Sequence, residues 1–168
     1  MHKPEITLDH QQLCVNRALR LVFRAPVYLY HLRCSRFLGR RFLLLIHVGR
    51  RTAWRRETVL EVMEYREAGP EVVVMSAFGR NADWLRNIEV TPTPEVLIGR
   101  QHFVATYRVL DVEEAISVAE RYEQRNRFLA PIVRLVLSSL LGWSYRGSAS
   151  DRRRLAAQLP LIALRPRS

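Results

Sequence analysis

One stretch constrains this chain more than any other: Phe42-Leu43-Leu44-Leu45-Ile46, then His47-Val48, a turn at Gly49, and the basic cluster Arg50, Arg51, Arg55 and Arg56, ending in Thr58-Val59-Leu60. A short apolar run bounded by glycine reads as a buried strand. Two such runs around a polar turn read as a hairpin-like pair. The pair predicts a sheet whose edge carries concentrated positive charge. That turn is the first candidate binding site, and an anion is its natural ligand.

Charge supports that expectation. The 168 residues carry a formal net charge of +11, and Lys3 is the only lysine. Arginine presents a planar fork that matches phosphate and carboxylate, which lysine cannot do. Nucleic acid, an acidic membrane and a polyanionic cofactor all remain open on charge alone. Arginine-rich coding accounts for part of the same excess. Nucleic acid ranks last, because the aromatic residues fall in apolar periodic positions instead of interleaving with the basic ones.

Length and a 48% hydrophobic fraction predict one domain spanning residues 1–168, with a helical segment over 1–40 and a core over 41–166. Leu13 to Phe23 has the period of an amphipathic helix with a basic flank. Val27 to Leu38 reads as a second short helix. Packing on the domain is the ordinary role of such a helix, and contact with an anionic membrane is the alternative. Cys14 and Cys34 lack metal-ligand spacing and fit a reducing cytoplasm. No apolar stretch approaches the length of a membrane span, so the expected location is cytoplasmic, with peripheral membrane association through the basic N-terminal helix as an option.

Further along, Thr58 to Tyr65 and Glu71 to Ser76 read as strands. Asn81 is the expected N-cap of a helix from Ala82 to about Val90, with the loop before it offering backbone N–H groups to an anion. Glu95–Ile98 and Gln101–Leu110 form a hairpin around Gly99-Arg100. Asp111 opens a helix to about Gln124 with a capping-box pattern. A more apolar helix spans roughly Arg127 to Leu141, a shorter one Arg152 to Gln158, and Leu159 to Leu164 is a last strand. Strands interrupted irregularly by helices predict an α+β, barrel-like sheet, not a doubly wound one.

Catalytic constellations are missing from the sequence. It has no nucleophile elbow, P-loop or dinucleotide fingerprint. The five histidines show no metal spacing, so no metal is expected. His47 reads as a satisfied barrel-edge histidine and Glu61 as a solvated carboxylate. Cations without catalytic side chains suit an enzyme whose chemistry resides in a bound cofactor, or a non-catalytic anion binder.

Three segments in register carry a resemblance to a known family. They are Leu43 through Thr52 with Arg56 and Thr58-Val59-Leu60; Val73-Val74-Met75-Ser76-Ala77-Phe78-Gly79 with Asp83-Trp84-Leu85-Arg86-Asn87-Ile88; and Leu159 through Pro166. Together they resemble the deazaflavin-dependent nitroreductase and quinone reductase family, from about Tyr28 to Pro166. The resemblance implies a mostly antiparallel split β-barrel, coenzyme F420 as cofactor with FMN as the weaker alternative, and hydride transfer to a small-molecule acceptor such as a quinone or nitro compound. It further implies that Arg50, Arg51, Thr52 and Arg56, with Arg55 as a weaker candidate and Gly49 and Thr58 framing the turn, hold the coenzyme's phosphate and tail. Met75, Ser76, Ala77, Phe78 and Gly79 would line the ring, and Trp84 and Asn87 would steady it. Tyr122 and Tyr145 are candidate proton sources. Family members are often homodimers. A non-catalytic cofactor or lipid binder of the same fold is the alternative. Two positions depart from the family pattern: Ala53 stands where glycine is usual, and Leu85 where tyrosine is usual.

Overall fold

A computed structural model describes residues 39–67 and 69–167. The two N-terminal helices expected from the sequence, with both cysteines, lie outside those residues. Six strands close into an antiparallel barrel in the order β1-β2-β3-β6-β5-β4: β1 Phe42–Val48, β2 Arg55–Arg66, β3 Glu71–Met75, β4 Glu95–Ile98, β5 Gln101–Val109 and β6 Leu161–Pro166. Closure leaves no free edge, which removes the usual hazard of an exposed strand. Strand β1 holds the centre of one side, pairing with β2 from Phe42↔Glu61 to Val48↔Arg55 and with β4 through Leu44↔Leu97.

Among the described residues, four α-helices pack on the barrel: α1 Asp83–Val90, α2 Val112–Arg125, α3 Ala130–Leu141 and α4 Ala149–Gln158. They build two cores. Leu43, Leu45, Val62, Val72, Val74, Val96 and Leu164 fill the barrel, and Trp84, Leu85 and Ile88 of α1 pack against them. The outer faces of β3 and β6, through Val73, Leu161 and Ala163, pack against α2, α3 and α4. A bulge in β2 serves both layers. Val62 pairs with Val74 and Glu64 with Val73, so Met63 is the extra residue. Val62 enters the barrel core and adjacent Met63 the outer one, and the inward positions change from even (Leu60, Val62) to odd (Tyr65).

Several boundaries differ from the sequence expectation. Strand β2 begins at Arg55, three residues early, because its ladder with β1 runs down to Val48↔Arg55. Arg55 and Arg56 therefore belong to a strand and not to the turn. Asn81 does not cap α1. Gly79–Asn81 is a 3-10 turn, Ala82 takes the N-cap position, and no side chain caps it. Helix α4 starts at Ala149 because Ser148 and Asp151 form a reciprocal capping box, a Ser-x-x-Asp signal present in the sequence. At α2, Asp111 Oδ1 accepts from the Glu114 N–H at 2.8 Å. The Glu114 carboxylate does not turn back to complete a box. It bridges Arg66 and Arg108 instead.

That bridge belongs to an ion network joining β2, β3, β5 and α2 through Arg66, Arg108, Arg121, Glu64, Glu71 and Glu114. Hydrogen bonds from Arg108 hold the Glu114 carboxyl down at about 2. Networks of this kind contribute more than isolated surface pairs.

Candidate active site

The turn between β1 and β2 is held by its own backbone. Gly49 N–H donates to Trp54 O at 2.8 Å, and Gly49 O accepts from Ala53 N–H at 2.8 Å and Thr52 N–H at 3.2 Å. A Cβ on Gly49 would stand 3.0 Å from Thr52 Oγ1 and 3.4 Å from Trp54 O, so a larger residue would crowd the turn. Ala53 has φ of +56°. A left-handed conformation strains any residue with a Cβ, which explains why glycine is usual there. Ala53→Gly is expected to stabilise the protein by about 0.5–1 kcal/mol, less than the full strain because glycine also loosens the unfolded chain. Chemical denaturation measures this; a destabilised variant would contradict the strain.

Helix α1 fixes the turn in space. Asn87 Oδ1 accepts from the Arg50 backbone N–H and from Arg50 Nη1, both at 3.0 Å, and Asn87 Nδ2 meets His47 Nδ1 at 3.1 Å. Arg50 Nη1 also reaches Asp83 Oδ1 at 2.9 Å. His47 Nε2 lies 3.2 Å from Thr58 Oγ1. His47 is thus the satisfied histidine the sequence suggested, and it ties α1 to both strands of the hairpin. Burial lowers its pKa below 6.5, so it is neutral at pH 7 and the folded state resists its protonation. The unfolded chain binds that proton more readily, and stability falls as pH drops below about 6.5. Glu114 adds a second loss between about 4.5 and 2, as its folded pKa is depressed. In acid titrations of stability, His47→Gln is expected to flatten the upper limb only; an unchanged upper limb would show that His47 does not set it.

Arg50 is engaged with α1, but Arg51, Arg55 and Arg56 are exposed and make no ion pair among the described residues. Elsewhere Arg66, Arg108, Arg121, Arg152 and Arg153 all meet carboxylates. The anion site expected at the N-terminus of α1 takes another form. The Gly79 N–H is spent on Ser76 O and the Ala82 N–H on Gly79 O. Asp83 occupies the first helical turn.

Beyond the turn, a cavity of about 620 Å³ opens between β2, the end of β3 and helices α2–α4. Its volume suits a small organic ligand. Thr58, Met75, Ala77, Phe78 and Trp84, all expected at the site, line it. Trp84 is at the same time part of the barrel core. Ser76 and Gly79 shape the wall from behind. Ser76 Oγ donates to Gly79 O at 2.7 Å, and Gly79, at φ +63°, lies so close to Gln158 O that a Cβ would come within 3.1 Å. Asn87 is buried in the latch with His47 and Arg50. Gly49, Arg50, Arg51, Thr52, Arg55 and Arg56 do not line the cavity. They cluster at the start of β2, whose residues Glu57 to Glu61 continue into its wall.

On the opposite wall, sequence reading named Tyr122 and Tyr145 but missed the carboxylates they meet. Glu61, expected to be solvated, lines the cavity and accepts from the Tyr122 hydroxyl at 2.9 Å and from Arg41 at 3.4 Å. Glu123 accepts from the Tyr145 hydroxyl and, at 2.8 Å, from Arg152. Burial raises the pKa of both phenols, and their carboxylate partners raise it further. Tyr122 and Tyr145 are therefore held as neutral hydrogen-bond donors, a poor state for releasing a proton. No spacing marks these pairs, because each joins residues far apart in sequence. The described residues contain no His, Cys, Asp and Glu grouping that would hold a metal.

A closed antiparallel barrel with a cationic turn beside an apolar cavity defines a split-barrel cofactor-binding protein. The model of the F420H(2)-dependent quinone reductase family matches residues 32–129, more than half of the chain. This protein therefore belongs to that family of oxidoreductases, and its cofactor is coenzyme F420. No match is found among curated proteins. Solved structures similar to it include an F420-H2 dependent reductase, 18% identical, with 76% of this chain and 96% of that one covered and a TM-score of 0.46. A protein of unknown function from Agrobacterium tumefaciens is 14% identical with a TM-score of 0.51, and the alignment covers 83% of this chain and 55% of that one. An FMN-binding, pyridoxamine 5'-phosphate oxidase-related protein from Nostoc punctiforme is 14% identical, with 85% and 80% covered and a TM-score of 0.45. At these identities, likeness concerns the fold alone.

Proposed function

We propose that the chain holds the phosphate and acidic tail of coenzyme F420 on Arg51, Arg55 and Arg56 and reduces a neutral, apolar quinone in the adjoining cavity. The observation that carries this reading is the set of three exposed guanidiniums without carboxylate partners among the described residues, beside the stretch of β2 that enters the cavity wall. Charge-assisted, forked contacts suit a phosphodiester. Arg50 and Asn87 position the turn, while Thr52 adds a hydroxyl to it. Met75, Ala77 and Phe78 offer an apolar wall to a flat ring, and Trp84 backs it.

The reduced coenzyme supplies a hydride; a quinone that gains this hydride and a proton becomes a quinol. The chain's part is to bind, to orient and to exclude water. With both phenols committed to carboxylates, the proton comes from solvent. Val59, Leu60, Met63, Val133, Val136 and Leu140 line the cavity, and that apolar lining suits a neutral acceptor better than an anionic one. That favours a neutral quinone over a nitro-substituted carboxylate.

Oxidation of the reduced coenzyme in the presence of neutral quinones, charged quinones and nitro compounds tests this reading. Turnover fastest with neutral apolar quinones is expected. Coenzyme binding without oxidation by any acceptor would assign the protein to non-catalytic binding, and a preference for anionic acceptors would overturn the acceptor class.

A further inference from the structure

Hydrogen bonds in series lead from the β1–β2 turn through helix α1 to the cavity wall, and each has a fixed direction. Asn87 Oδ1 accepts from the Arg50 N–H and from Arg50 Nη1, both at 3.0 Å. Two donors at one end of the amide settle which end is the oxygen. The other end, Nδ2, therefore donates to His47 Nδ1 at 3.1 Å. A ring nitrogen that accepts carries no proton. Asn87 and His47 are each 5% exposed, and burial keeps the ring neutral. Its one proton therefore sits on Nε2.

That proton points at Thr58. The Nε2–H donates to Thr58 Oγ1 at 3.2 Å. His47 lies opposite Arg56 across the β1–β2 ladder, and Thr58 is two residues along the same face. A hydroxyl that accepts from the ring cannot also donate to it. Its own proton must go elsewhere, and Thr58 Oγ1 meets no second polar partner among the described residues. Thr58 lines the cavity, as does Leu60 on the same face of β2. Across the cavity, the Tyr122 and Tyr145 hydroxyls are spent on carboxylates. Thr58 is left with a neutral donor to offer a ligand.

We propose that Thr58 donates a hydrogen bond to a carbonyl oxygen of the quinone and that His47, held by Asn87, positions this donor. The proposal rests on the reductase reading and adds the group that meets the acceptor. The hydride brings the quinone one hydrogen and two electrons. One quinone oxygen carries the resulting negative charge until a solvent proton neutralises it. Thr58 keeps its own proton throughout. A donor aimed where charge develops binds more strongly in the transition state, so its contribution appears in kcat more than in KM. Thr58 is then a catalytic residue, and His47 a positioning residue that acts through it.

Nitrogen NMR of the ligand-free protein tests the first half. The His47 ring is expected to show a protonated Nε2 and a bare Nδ1. The reverse tautomer would overturn the proposal, since Thr58 would then donate to the ring. Steady-state oxidation of the reduced coenzyme by a neutral quinone tests the second half. Thr58→Val keeps the side-chain shape and removes the hydroxyl. It is expected to lower kcat about 10- to 100-fold, with KM for the quinone and the dissociation constant for oxidised coenzyme within about threefold. His47→Phe is expected to show a similar loss. His47→Gln, whose amide N–H can stand in for Nε2–H, is expected to recover most of it. Thr106→Val, on β5 away from the cavity, serves as the control. Thermal melts check that each variant folds; should His47→Phe fail to fold, the ring shifts and Thr58→Val still decide. Unchanged kcat in Thr58→Val would overturn the proposal. So would a loss confined to coenzyme binding, since that result gives the hydroxyl to the coenzyme. An unmodified protein that reduces no quinone would remove the reductase reading, and this proposal with it.

Discussion

Replacing Arg51 and Arg56 together with Ala is expected to raise the dissociation constant for oxidised coenzyme F420 by about two to four decades. Each charge-assisted contact to a phosphate or carboxylate contributes about 1.5–3 kcal/mol, and about 1.4 kcal/mol corresponds to a tenfold change. Folding stability should move by less than about 0.5 kcal/mol, because both side chains are exposed and without ion-pair partners among the described residues. Coenzyme fluorescence titration reads the first effect and a denaturation curve the second. Arg153→Ala serves as the control: Arg153 is also exposed but pairs with Glu113, remote from the turn. A dissociation constant within threefold of the unmodified protein's would remove the phosphate grip from this turn. A large loss of stability would show instead that these arginines hold the fold.

Asn87→Ala is expected to cost about 2–4 kcal/mol of stability, or roughly 5–15 °C in melting temperature for a chain of this size. Asn87 is buried and uses its amide in both directions, accepting from Arg50 and meeting His47. Truncation leaves the His47 ring nitrogen and the Arg50 N–H without their partner, away from solvent replacement. It also reduces the side-chain ties between the turn and α1 to the Arg50–Asp83 pair, so coenzyme affinity should fall even though Asn87 does not line the cavity. Arg50→Ala should cost less, since the backbone N–H of residue 50 still donates to Asn87. A double-mutant cycle on Arg50 and Asn87 would then show coupling. A loss below about 0.5 kcal/mol for Asn87→Ala would mean that the latch does not hold the turn in solution.

These two variants test whether the proposed binding residues are distinct from those that position the turn. Sequence resemblance grouped Arg50, Arg51, Arg56 and Asn87 in one site. The structure divides that group: Arg50 and Asn87 bind each other, while Arg51 and Arg56 face outward. Nothing in a one-dimensional pattern distinguishes an arginine with an internal acceptor from one without, because that acceptor lies 37 residues away on another element. Trp84 is similarly divided between core and cavity wall.

Local features were legible where short-range physics dominates. The run Phe42–Val48, the hairpin around Gly99-Arg100 and the Asp111 cap all appear where the apolar run, the turn residues and capping place them. Errors arose where tertiary contacts extend or replace local preference. Pairing with β1 lengthened β2 into the basic segment, and the approach of Gln158 O to Gly79 accompanies a 3-10 turn where a simple Asn81 cap was expected. The departure at Ala53 was visible in the sequence, but only the backbone dihedral shows that it carries strain.

By itself, then, the sequence determined the strand–turn–strand unit, its positive charge and the family, because apolar period, turn residues and motif order are properties of neighbours along the chain. Tertiary structure decided which guanidiniums lack carboxylate partners among the described residues, and that Glu61 and Glu123 face a cavity with a tyrosine each. Those properties depend on which distant groups meet when the barrel closes and the helices pack on it. Burial, desolvation and hydrogen-bond satisfaction are set there, across gaps in sequence that no local pattern encodes.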